Sequence, residues 1–146
     1  VQDVNIYIGT SFHGPARRDG EYIYILEHIR DGIPITREGM GRLEGVTENQ
    51  LALTALAEAL DRINCPCSLR VHTSCQHILN SMQNSWARQW QKNGWKTAKG
   101  TEVRNTDLWA RIMGQLDRHR YTFTDGDHTY SGWMEGQLKP DGRKHG

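Results

Sequence analysis

The stretch "SWARQWQKNGWKTAKGTEVRNTDLW", residues 85 to 109, sets three tryptophans among cations. Trp86, Trp90 and Trp95 are interleaved with Arg88, Lys92, Lys96, Lys99 and Arg104, and the one acid between Trp86 and Arg104 is Glu102. The local charge is +4 in a chain whose net charge is +1, so the remainder is acidic and the positive charge is concentrated here. Rings that pack on bases and sugars, alternating with cations that attract phosphates, suit a strand of nucleic acid. A solvated amphipathic helix that buries its tryptophans accounts for the same pattern.

A second group with chemical potential lies near the C-terminus. Asp125 and Asp127 straddle Gly126, with His128 and Glu135 close behind. A solvated Asp-Gly-Asp turn is the ordinary reading of that run. Asp3, Glu48 and Asp107 read as surface or helix-start charges, and His13 and His145 as loop histidines. Cys65, Cys67 and Cys75, with His72 and His77 nearby, contain the donor types of a soft-metal site. Their odd number and lack of paired C-x-x-C spacing favour reduced thiols instead, with Cys-Pro-Cys in a loop.

The elements that must position these groups follow from periodicity. Val4 to Ile8 alternates and runs into the turn Gly9-Thr10-Ser11, which predicts a strand. EYIYILEHI, residues 21 to 29, is a second, and Ile33 to Leu43, interrupted by Gly39 and Gly41, a weaker third. Short connections make these an antiparallel meander. Thr47 with Gln50 forms a T-x-x-Q capping box, opening a helix with Leu53, Leu56, Leu60 and Ile63 on one face, stopped by Asn64 and Pro66. SLRVH, residues 68 to 72, is a buried strand parallel to an earlier one. Helical spacing returns from Gln76 to about Gln91, breaks at Asn93-Gly94, and resumes at Asp107 through Trp109, Ile112 and Leu116. Tyr121 to Thr124 is a last strand. The order βββαβααβ predicts an α/β class with a mixed sheet.

At 146 residues the chain is long enough for one domain with its own core, expected over 1–138, with a flexible polar tail at 139–146. No apolar run approaches the roughly 20 residues of a membrane span. VQDVNIYIG lacks the pattern of a signal peptide. A start at Val leaves room for an upstream segment. A cytoplasmic monomer is expected, and a protein partner is left open.

The element order, with basic tryptophan-rich helices between the last two strands, resembles the ribonuclease H family of type 1. The likeness is strongest in the W-x-K-x-G-W-K-T run at Trp90 to Thr97 and the N-x-D-L-W helix start at Asn105 to Trp109, and fainter echoes extend it over about 4 to 138. It implies a ribonuclease H-like fold with a five-stranded mixed sheet, and a protruding basic handle that grips the DNA strand of an RNA/DNA hybrid. The handle contacts would then be Trp86, Arg88, Trp90, Lys92, Trp95, Lys96, Thr97, Lys99 and Arg104.

The chemistry implied by the resemblance is hydrolysis of the RNA strand by two divalent metals on four carboxylates, since such ions need hard, charged oxygen ligands. Gly9 stands where the first carboxylate would be, Ala52 at the second and Ser74 at the third. The fourth follows a Gly-His loop, but here Asp127 separates Gly126 from His128, and Glu135 can supply that acid only in a shifted register. Ser11, Asn49 and Gln76, which flank the lost acids, keep groups expected to touch the nucleic-acid backbone. No magnesium or manganese is therefore expected at Gly9, Ala52 and Ser74.

Three functions are compatible with this reading. The first is a catalytically impaired domain that binds RNA/DNA hybrid or double-stranded RNA through duplex shape, phosphates and 2′-hydroxyls, with little sequence preference. The second is an active, magnesium- or manganese-dependent hybrid endoribonuclease with a rearranged acid set of Asp125, Asp127 and Glu135. The third is a protein-interaction module with the tryptophans as a hot spot.

Overall fold

The computed structural model describes residues 2–138, so the expected tail at 139–146 lies outside the described residues. Strands β1 (Gln2–Thr10), β2 (Arg18–Arg30) and β3 (Ile33–Val46) lead into helix α1 (Glu48–Asp61). Strand β4 (Cys67–His72), helices α2 (Gln76–Gln83), α3 (Trp86–Lys92) and α4 (Thr106–Leu116), strand β5 (Arg120–Thr124) and helix α5 (Ser131–Gln137) complete the order. The five strands lie in the order β3-β2-β1-β4-β5. β1 pairs antiparallel with β2, which pairs antiparallel with β3, while β4 is parallel to both β1 and β5.

Alternation decides the two faces of the sheet. Val4, Ile6 and Ile8 of β1, with Tyr22, Tyr24 and Leu26 of β2, face the main core with α1, α2 and α4. Tyr7, Ile23 and Ile25 face the other way and are covered by Met134 and Leu138. α1 begins as expected: the Thr47 hydroxyl accepts a hydrogen bond from the Gln50 N–H at 3.1 Å. Its apolar face, including Leu53, Leu56 and Leu60, is buried, and burial of that face is what holds it to the sheet.

Several boundaries differ from the sequence expectation. β3 is the longest strand, and Gly39 and Gly41 do not interrupt it. They pair with Tyr24 and Tyr22 across the ladder, and a Cβ on either would lie within 2.4 Å of its partner's ring or hydroxyl. Each glycine is the seat of a tyrosine, which explains how a glycine serves a strand interior. The helix expected from Gln76 to about Gln91 is two helices, because Ser85 adopts a left-handed conformation at φ 60° and Asn84 Nδ2 turns back to Asn80 O at 3.0 Å. α1 ends at Asp61 rather than reaching Asn64. Cys67 is the first residue of β4 rather than part of a loop, and α5 is a further helix absent from the expected order.

Candidate nucleic-acid interface and the cleft beside it

Parallel pairing puts the C-terminal ends of β1 and β4 side by side, and the loop after β5 closes over them. The result is a cleft of about 300 Å³ whose lining includes Gly9, Ser74, Asp127, His128 and Glu135. The fold therefore brings together two of the three substituted positions and two of the three acids read as possible replacements, Asp127 and Glu135. Ala52 instead is 1% exposed and belongs to the main core. Asp125 is not part of the cleft's lining.

Gly9 is held tightly. A Cβ there would lie 2.9 Å from Met134 Cε, 3.1 Å from Ile23 Cγ2 and 3.3 Å from Leu138 Cδ1. Apolar side chains from α5 and its end thus occupy the direction in which a side chain at position 9 would leave the strand. The three substituted positions offer no charged oxygen to a hard divalent cation: position 9 has no side chain, position 52 a buried methyl and position 74 a neutral hydroxyl, which leaves Asp127 and Glu135 as the cleft's carboxylates. Among the described residues no three His, Cys, Asp or Glu side chains are grouped so as to hold a metal ion. The cysteine and histidine cluster is likewise dispersed. Cys65 and Cys67 are free thiols with sulfurs 3.9 Å apart, His72 stacks on Tyr7, and the His77 Nε2 accepts the Trp109 indole N–H at 3.3 Å.

A groove of about 390 Å³ adjoins the cleft and shares His13 and Ser74 with it. Asn49 and Gln76 line it, as the sequence suggested, together with Glu48 and His77. Asn49 Oδ1 accepts a weak bond from the Cys75 thiol at 3.5 Å. Ser11 lies at the mouth of the β1–β2 loop, where its hydroxyl accepts from the Glu21 N–H at 2.9 Å.

The expected handle divides into exposed residues and packing residues. Lys92, Lys96, Lys99 and Arg104 are exposed and form no ion pair among the described residues. Trp86 is 43% exposed. The loop beyond α3 is closed by an antiparallel bridge between Lys96 and Glu102 and by the Thr97 and Thr101 hydroxyls at 2.7 Å, so Thr97 serves to hold the loop. Trp95 sits at φ 65°, half-buried, and its carbonyl accepts from Val103 N at 3.0 Å. Trp90 stacks on His77 and meets Trp109 edge-on at 5.8 Å between centroids, which makes it largely a wall of the core.

Arg88, expected to grip phosphate, has partners within the fold. Its guanidinium donates to Asp117 at 2.5 Å, to Gln91 at 2.7 Å and to the Tyr121 hydroxyl at 3.1 Å. Hydrogen bonding to Arg88 holds the Asp117 carboxyl below the usual carboxylate range. Arg88 ties α3 to the end of α4 and to β5, and its charge is already matched.

Sequence reasoning missed a polar cluster on the second sheet face. Glu27 is 7% exposed and accepts from Asn5 Nδ2 at 2.9 Å, the Tyr7 hydroxyl at 3.2 Å and the Tyr130 hydroxyl at 2.5 Å. The hydrogen bond to Glu27, reinforced by burial, pushes the Tyr130 phenol up to about 12, and burial with the same carboxylate pushes Tyr7 up further. His72 and His128 pack at the Tyr7 ring, and burial lowers the pKa of both. One signal was available: Glu27 continues the face of Ile23 and Ile25, so alternation places an acid on an apolar face.

This order of strands, with its helices on one side and α5 on the other, defines a ribonuclease H-like fold. The model of the RNase H family matches residues 2–125, and the chain belongs to that family. It is similar to a ribonuclease H of Oleidesulfovibrio alaskensis, 37% identical over 83 residues that make up 57% of this chain and 54% of that protein. The chain thus spans little more than half the length of that relative. In structure it resembles LC9-RNase H1, described as a type 1 RNase H with the type 2 active-site motif, with a TM-score of 0.77 and 20% identity over 94% of this chain and 71% of that one. It also resembles LC11-RNase H1 in complex with an RNA/DNA hybrid, at a TM-score of 0.60 and 14% identity, covering 92% and 93% of the two chains. No helix among the described residues is long and apolar enough to cross a membrane.

Proposed function

We propose that this chain is a ribonuclease H-like domain that binds duplex nucleic acid, RNA/DNA hybrid or double-stranded RNA, without hydrolysing it. The observation that carries this reading is the packing at Gly9, where a Cβ would meet the Met134 methyl at 2.9 Å, with Ile23 and Leu138 close behind. As folded, an apolar contact takes the place of the first ligand, and a side chain there would have to move the methionine. Ala52 and Ser74 point the same way, because neither offers charge to a metal. In this reading the chain works without magnesium or manganese.

Binding is supported by the exposed Lys92, Lys96, Lys99 and Arg104 beside Trp86, and by Asn49 and Gln76 lining one groove. The complex formed by LC11-RNase H1 makes RNA/DNA hybrid the first ligand to test. Positioning through phosphates and duplex shape implies little sequence preference.

The test is a gel shift and a cleavage assay on one labelled RNA/DNA hybrid, with magnesium and with manganese. The expected result is binding that weakens steeply with salt and leaves the RNA strand intact. Metal-dependent cleavage that disappears in Asp127→Asn or Glu135→Gln would overturn the reading in favour of an enzyme with a rearranged acid set. Binding indifferent to salt, or none, would overturn it in favour of a protein-interaction module.

A further inference from the structure

Strand β3 lies at one edge of the sheet, and among the described residues it pairs with a strand on one side only, β2. An open edge presents backbone N–H and C=O groups to any other strand, and proteins usually blunt it with a short strand, a proline, a bulge or lysines. This edge is 14 residues long, has its proline at the second position and carries no lysine. The one irregularity in its pairing with β2 lies at its C-terminal end, between Leu43 and Val46. Met40, near the middle, is 46% exposed.

A second copy of the same edge fits it. Two β3 strands related by a two-fold axis across the sheet run antiparallel, and residues equally far from the axis stand opposite each other. An axis at Arg37, Glu38, Gly41 or Arg42 sets like charges opposite one another, and an axis at Gly39 pairs no charges. An axis at Met40 sets Glu38 opposite the second copy's Arg42, and Arg42 opposite its Glu38, with Gly39 and Gly41 between them. Glu38, Met40 and Arg42 share one sheet face, since they oppose Ile25, Ile23 and Glu21 of β2.

The other face is complementary in the same register. Tyr24 and Tyr22 lie over Gly39 and Gly41, so their hydroxyl ends reach the edge. The Tyr22 hydroxyl donates to Glu58 Oε2 at 2.6 Å, and the Tyr24 hydroxyl accepts from Arg62 Nη1 at 3.1 Å. With Gly39 of one copy opposite Gly41 of the other, about 4.8 Å away across a strand pair, Arg62 of each copy is brought toward Glu58 of the other. Arg62 Nη1 also donates to Glu38 O at 3.1 Å, a bond that an added strand must share or displace.

We propose that β3 is a homodimerisation edge, joining two copies of this chain into one continuous sheet centred on Met40. Glu38 and Arg42 pair across the junction on one face, and Arg62 and Glu58 on the other. The monomer expected from the sequence is then the dilute state, because one strand pair is small beside the standard interface of about 800 Å² per partner. A two-fold axis across the sheet also sends the clefts at the ends of β1 and β4 to opposite ends of the dimer.

The test is sedimentation of the chain across the micromolar range, with melting temperature as a fold control. The mass of the parent should rise with concentration toward that of two chains. Glu38→Arg and Arg42→Glu each set like charges opposite one another, so each variant alone should stay monomeric at concentrations where the parent pairs. An equimolar mixture of the two places every reversed charge opposite its complement and should recover the dimer. A parent that stays monomeric throughout would overturn the proposal. A dimer that ignores both reversals would place the contact on another surface, and two monomeric variants that fail to pair when mixed would refute the register, either of which also overturns it.

Discussion

The Cα of Gly9, at the end of β1, lies so close to Met134 of α5 that a Cβ on the glycine would stand 2.9 Å from the methionine methyl. The packing joins the first strand to the last helix at the position where the resemblance to type 1 ribonucleases H implies a metal ligand. Gly9→Asp must displace Met134 and set a carboxylate against Ile23 and Leu138. We expect a loss of about 1–3 kcal/mol by chemical denaturation. Gly9→Asp with Met134→Ala should be less destabilised than the sum of the two single changes. Strict additivity would show that the two side chains do not compete for this space.

Trp109 and Trp86 should behave oppositely. Trp109 is fully buried and gives its indole N–H to His77, so Trp109→Ala should cost about 3–5 kcal/mol. Trp86 is 43% exposed, and its replacement by alanine should change stability by less than about 0.5 kcal/mol while lowering affinity for hybrid. Melting curves and binding isotherms on the same two variants separate the roles.

Changing Lys92, Lys96 and Lys99 together to alanine should reduce the slope of log affinity against log salt, by nearly one unit for each phosphate that these lysines neutralise. Arg88→Ala should leave the slope alone and lower the melting temperature, because Asp117, Gln91 and Tyr121 lose the guanidinium they share and Asp117 keeps only the Gln91 amide. A smaller slope for Arg88→Ala would mean that the guanidinium leaves Asp117 to meet a phosphate.

Acid should destabilise the fold before its carboxylates protonate. Burial is the first cause lowering the pKa of His72, His77 and His128. Below the ordinary histidine pKa of about 6.5 the unfolded chain therefore binds protons that the folded chain refuses. Stability should be level above that pH and fall as pH drops below it, down to the depressed folded values. Urea midpoints between about pH 8 and pH 5 would check the sign, and His72→Gln should make the decline shallower.

Glu27→Ala would leave the Tyr7 and Tyr130 hydroxyls without the acceptor they now share. A loss of about 1–3 kcal/mol is expected from the unsatisfied donors, and the Tyr130 phenol should return toward about 10 in a spectroscopic titration.

What could be read from the sequence was what local pattern controls. Alternation in Val4 to Ile8 marked a strand, Thr47 the start of α1, and residues 68 to 72 a strand parallel to an earlier one, which the structure identifies as β1. The remainder depends on partners far apart in the chain. Arg88 looked like a phosphate ligand because Asp117 lies 29 positions away, and Glu27 finds Tyr130 across 103. Gly39 and Gly41 looked like interruptions because nothing near them announces the rings of Tyr24 and Tyr22. The pairing of His13 with Glu48 spans 35 positions, so His13 alone read as a loop histidine and Glu48 as a surface or helix-start charge.

The bridge between Lys96 and Glu102, seated on Trp95 and Val103, ties the cationic loop to the core by backbone rather than by side chains. Val103 is 6% exposed, so the base of the loop cannot swing without opening the core. In the duplex-binding reading, a loop anchored by backbone at its base holds the span between the lysines and the groove at Asn49 and Gln76 nearly constant, and the molecule would work as a gauge. A duplex that reaches both ends engages the second as an intramolecular event, while a shorter one engages only the first. Affinity plotted against hybrid length should rise in a step at that span and stay nearly flat on either side of it.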